Sequence, residues 1–89
     1  MTIRELEAFL KTTTVRPYTY SLYEGSGPTA EVAHYIRERG NGYEVFVTER
    51  NKLIESVRVD TEEEACNKLL KLLIKDNPWE YEVLSRHIT

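Results

Sequence analysis

The feature that most constrains this chain is a run of alternation interrupted by Gly40, Asn41 and Gly42. Before the break Ala30, Val32, His34 and Ile36 alternate with Glu31, Ala33, Tyr35 and Arg37; after it Val45 and Val47 alternate with Glu44, Phe46 and Thr48. A period of two marks a strand with two unlike faces. Gly and Asn tolerate the positive φ that a tight hairpin needs. The pattern therefore predicts a strand over Ala30 to Glu38 that pairs back onto Tyr43 to Glu49. A second turn around Asn51 leads into a third strand from Leu53 to Val59, giving an antiparallel meander. The set with Val32 and Ile36 is expected to face the core, and the set with Tyr35 and Phe46 to face outward.

Two amphipathic helices flank the meander. Thr2 and Glu5 stand at capping-box spacing, and Ile3, Leu6, Phe9 and Leu10 recur on one face of the helix that follows. The β-branched run Thr12 to Val15 ends this helix near Lys11. Asp60 and Thr61 open the second helix, with Thr61 and Glu64 again at capping-box spacing and an acidic first turn that complements the helix dipole. Ala65, Cys66, Leu69, Leu70, Leu72 and Leu73 fill an apolar arc wide enough to cover a sheet. Tyr18 to Tyr23 reads as a short extended segment, and Gly25-Ser26-Gly27-Pro28 as a turn. Pro78 to His87 has both a helix start at Asn77-Pro78 and the strand-like alternation of Trp79, Tyr81 and Val83. The expected fold is α+β, a three- or four-stranded antiparallel meander with N-terminal and C-terminal amphipathic helices packed on one face. Residues 1–89 are expected to form a single domain.

Size and charge narrow the function. A chain of 89 residues cannot enclose a large cofactor beside a full core, so no cofactor is expected. Fifteen acidic residues against 12 basic ones argue against direct nucleic-acid binding, which wants a concentrated basic patch. No apolar run reaches the roughly 20 residues that span a bilayer. The lone Cys66 forms no internal disulfide, and the chain opens without a signal-peptide pattern, so a reducing, cytoplasmic setting is expected.

No catalytic constellation emerges. Cys66 shares its helix face with leucines and reads as a small core residue. His34 and His87 lack partners at metal-ligand spacing, so no metal site is expected. The glycine turn lacks the Lys and Ser/Thr of a phosphate-binding loop. Abundant glutamates do not by themselves place an acid and a base in one pocket. The tyrosines carry more information, because aromatic side chains recur at interfaces as readily as in cores. Tyr35 and Phe46 are thus either interface residues on an open face or core residues beneath the Trp79 segment.

Tyr20-Ser21-Leu22, the turn through Pro28, Glu31 and Tyr35 resemble the opening of a small bacterial immunity-protein family of polymorphic toxin systems. The resemblance continues through Gly42-Tyr43-Glu44-Val45, Glu49-Arg50 and Glu62-Glu63-Glu64-Ala65-Cys66, roughly Tyr20 to Leu73. It implies a noncatalytic cytoplasmic protein that binds and neutralises a cognate toxin domain. The chain is expected to be a monomer or weak homodimer, and its acidic excess suits a basic nuclease as the toxin. From the residues themselves, Glu31, Glu44, Glu49 and Glu62 are candidates to meet a cationic groove, and Tyr20, Tyr23, Tyr35 and Phe46 to supply aromatic contact. The alternative is a small interaction adaptor or self-associating domain that uses an open strand edge.

Overall fold

Helix α1 (Ile3–Leu10) starts at a reciprocal cap in which the Glu5 N–H donates to Thr2 Oγ1 and the Thr2 N–H donates to Glu5 Oε1. The Thr2 backbone N–H, then its hydroxyl, lowers the pKa of the Glu5 carboxyl from its ordinary value. The threonines that follow end the helix by a direct mechanism. The Thr12 and Thr13 hydroxyls donate to the Phe9 and Leu10 carbonyls, each at 2.7 Å, and so take up carbonyls the helix leaves without partners. The computed structural model describes residues 1–25 and 30–88. Beyond Gly25, the turn expected through Pro28 lies outside the described residues.

The sheet has four strands in the order β1 (Tyr20–Ser21), β2 (Val32–Arg39), β3 (Gly42–Glu49) and β4 (Lys52–Val59). Strands β2, β3 and β4 form the expected antiparallel meander. The β2–β3 turn has Gly40 at φ +60°, and Gly42 is needed for packing, since a Cβ there would meet the Val59 carbonyl oxygen at 2.5 Å. The β3–β4 turn uses Arg50 and Asn51, both at positive φ, as a two-residue hairpin turn of the primed type requires. The short β1 departs from a purely antiparallel sheet, because it pairs parallel to β2 with Tyr20 opposite His34. Ala30 N–H donates to the Tyr18 carbonyl, and Arg37 donates to the Ser21 carbonyl and hydroxyl. These contacts hold the aromatic segment beside β2 in the parallel sense. The sheet is therefore mixed.

Both helices lie on one face. Leu6 and Leu10 of α1 and Ala65, Cys66, Leu69, Leu70, Leu72 and Leu73 of α2 (Glu62–Asp76) form one buried cluster with Ile36, Val45 and Val47. The Thr61 hydroxyl accepts from the Glu64 N–H at 3.1 Å, as the second capping spacing predicts. The thinnest dimension of the molecule, 20 Å, accommodates one sheet and one helix layer. The C-terminal ambiguity resolves in favour of helix: Pro78–Glu80 is a 3-10 turn and α3 spans Tyr81–Ser85, with Leu84 buried in the same cluster. The turn is pinned by Glu80, which accepts from the Thr14 N–H and hydroxyl, while Trp79 Nε1 donates to Thr14 Oγ1 at 3.1 Å. The Trp79 segment thus joins the helix side and does not cover Phe46. Buried His34 ties the layers together. Its Nε2 lies 2.8 Å from Asp76 Oδ2 at the end of α2, and its Nδ1 lies 3.2 Å from the Thr19 carbonyl. Among the described residues, no helix is long and apolar enough to cross a membrane.

Candidate functional site

Strand pairing builds the face opposite the helices in rows. Arg37, Glu44 and Arg58 form one row, Tyr35, Phe46 and Ser56 the next, and Ala33, Thr48 and Leu53 the third. The third row depends on a bulge. The register shifts between Val47 and Thr48, so Glu55 pairs with Val47 on the covered side while Leu53 pairs with Thr48 on the open side. Leu53 is consequently 61% exposed.

At the centre, the rings of Tyr35 and Phe46 stack with centroids 4.5 Å apart and planes within 9°. Arg37 lies beside them, its guanidinium carbon 5.3 Å from the Tyr35 ring centroid. Its guanidinium is held by the Ser21 hydroxyl at 2.8 Å, the Ser21 carbonyl at 3.2 Å and the Ile36 carbonyl at 2.8 Å, with Glu24 Oε2 3.5 Å from Nε. These contacts explain how an arginine only 7% exposed sits in the sheet without an unsatisfied donor. Glu44 is engaged as well, accepting from Ser56 Oγ at 2.8 Å with Arg39 Nε 3.6 Å away. Arg58 extends along the row toward the hairpin, where its Nη2 donates to the Arg39 carbonyl at 2.9 Å. Ordered stacking and several polar ties fix this face, and among the described residues no helix packs on it.

The eight sequence-derived candidates do not share one surface. Tyr35, Glu44 and Phe46 belong to the open face. Glu31 stands exposed beside the β3–β4 turn, paired to Arg50 Nε at 2.7 Å. Tyr23 is exposed and lines a cleft of about 330 Å³ with Arg4, Glu24, Arg37, Glu38 and Glu62. Tyr20 is opposite His34 on the covered side, and burial, followed by nearby Glu7, raises its hydroxyl pKa. Glu49 is opposite Val32 and lines a crevice of about 170 Å³ with His34 and Asp76. Glu62 serves the fold, since its Oε1 accepts the Ile3 N–H at 2.5 Å and so caps α1 from the start of α2.

Burial first, and then the Glu62 charge, push the Cys66 thiol up to about 11, opposite to what an activated nucleophile requires. Among the described residues, no group of three or more His, Cys, Asp or Glu side chains is placed to hold a metal ion. No family model, curated protein or solved structure matches the chain.

Arg37, Arg39, Arg58 and Leu53 do not stand out from the sequence as site residues. Arg37 shares the strand parity of Tyr35, and that parity is the signal that places it on the open face. The placement of Arg58 and Leu53 depends on the β3–β4 register and its bulge.

Proposed function

We propose that this chain is a noncatalytic immunity protein that docks a cognate bacterial toxin domain on its open sheet face and blocks it. The Tyr35–Phe46 stack carries the reading. It presents aromatic area in a fixed geometry on a face that carries no helix among the described residues, and ordering such a surface before binding reduces the entropy cost of association. The resemblance between Tyr20 and Leu73 supplies the toxin as partner. A nuclease toxin fits if its surface outside the substrate groove is what the sheet meets.

A second reading, self-association through an edge, is supported by β4. This outer strand carries Leu53 and Ile54 near its start, 61% and 57% exposed, and an edge strand offers backbone donors and acceptors to another chain. Two measurements separate the readings. Co-expression with the active toxin domain tests protection of the host cell, and titration calorimetry with a catalytically disabled copy tests binding. Protection together with a saturable complex is expected. A folded protein that neither protects nor binds, but dimerises in sedimentation, would replace the immunity reading with the edge reading.

A further inference from the structure

We infer that the open sheet face selects an acidic segment of its protein partner, with carboxylates meeting Arg39 and Arg58 at the end of the Tyr35–Phe46 stack. This rests on the proposed docking face and adds the chemistry of what docks there. The supporting observation is an inversion of charge. The whole chain is formally −3, yet the rows around the aromatic pair bring Arg37, Arg39 and Arg58 together against Glu24 and Glu44.

The two glutamates are already engaged. Glu24 Oε2 lies 3.5 Å from Arg37 Nε and 3.4 Å from Arg39 Nη1, and Glu44 is shared by Arg39 and Ser56. Among the described residues Arg58 has no carboxylate within ion-pair distance, and the hydrogen bond to the Arg39 carbonyl uses only one of its five donors. The remaining donors of this exposed side chain can take a carboxylate as a fork, and partner aromatic or aliphatic surface can cover Phe46 and Leu53 beside it.

Of the glutamates that would suit a cationic partner, Glu44 is held on this face by Ser56 and Arg39, and the other three are used elsewhere. Glu62 caps α1, Glu49 belongs to the covered-side crevice, and Glu31 is paired to Arg50. Single-stranded nucleic acid is the other polyanion that arginines and aromatics attract, but it needs free ring faces for base stacking. Here Tyr35 has Phe46 stacked against it and Arg37 over its ring, which leaves Phe46 as the one ring of the pair with a face to offer, too little for successive bases. The geometry thus favours carboxylates on protein.

The test follows amide resonances of the full-length protein during titration with a short polyglutamate peptide, a matched polylysine peptide and a single-stranded oligonucleotide. Polyglutamate should shift amides around Arg39, Phe46 and Arg58, and this should weaken with added salt. Shifts from polyglutamate mapped elsewhere, or larger shifts on this face from polylysine or the oligonucleotide, would overturn the inference. The disabled toxin domain gives a second readout. Arg39→Glu with Arg58→Glu should weaken its binding roughly tenfold or more, and Arg39→Gln with Arg58→Gln less, provided resonance dispersion shows both variants folded. Wild-type affinity in the charge-reversed protein would overturn the inference while leaving the immunity reading in place. Failure of the wild-type protein to bind the toxin would remove the immunity reading, and the peptide titration would still decide the chemistry of the face.

Discussion

On one face of the sheet Val32, Ile36, Val45 and Val47 pack against the helix layer, whereas on the other Tyr35 and Phe46 stack beside buried Arg37 with no helix above them among the described residues. The same strands order both faces by different means. The covered face uses apolar burial, and its side chains need only shape and area. The open face uses aromatic stacking and hydrogen bonds from Arg37 and Ser56, which remain favourable beside water. A sheet face can therefore be rigid without being core.

Substitutions at the two faces should separate stability from binding. The largest stability loss is expected at Leu69 or Leu70, both fully buried residues of α2, where change to Ala should cost about 2 to 5 kcal/mol in denaturant unfolding. A loss below about 1 kcal/mol would mean that the helix layer is not the stabilising side. Next comes Glu80→Ala, which removes the acceptor for Thr14 and releases the C-terminal turn. A cost of about 1.5 to 3 kcal/mol is expected, with toxin affinity unchanged because the contact lies on the helix side.

Alkaline pH should also act through the covered face. The folded-state pKa of the Cys66 thiol is raised from 9.0 to about 11, and burial followed by Glu62 and Glu38 raises that of Tyr43. Groups raised in this way favour the fold fully below their unfolded pKa. Their contribution is lost as pH rises, for Cys66 between about 9 and 11. Unfolding midpoints should fall across that window, and less steeply in Cys66→Ala. Labelling by a thiol reagent near neutral pH should require unfolding. The smallest effect is expected at the rim, where Arg50→Ala breaks the exposed pair with Glu31 and should change stability by about 0 to 1 kcal/mol, vanishing in salt.

Much of the covered face is legible in the chain. Both capping spacings, the leucine arc of α2 and the alternation around Gly40 to Gly42 are local, and local patterns determine element type and which side chains share a face. Strand parity also puts Tyr35 and Phe46 on the side away from the helices. What is not legible depends on pairing between distant residues. The parallel set of β1, the bulge that exposes Leu53, and the use of Glu62 as acceptor for Ile3 depend on contacts far apart in sequence. The Trp79 segment is ambiguous in sequence because its alternation competes with the helix start at Pro78, and the bond from Thr14 to Glu80 belongs to the helical outcome. The arginines around the aromatic pair are visible as residues but not as a group, since net charge averages over both faces.

The most direct test of the open face as the docking surface is calorimetric titration of the disabled toxin domain with wild-type protein, Tyr35→Ala/Phe46→Ala, and the helix-side control Lys71→Ala. The account predicts unchanged affinity for the control. It predicts a loss of roughly 2 kcal/mol or more for the aromatic pair, about thirtyfold, with both variants folded. Equal affinity for wild type and the aromatic variant, or a loss confined to Lys71→Ala, would contradict it.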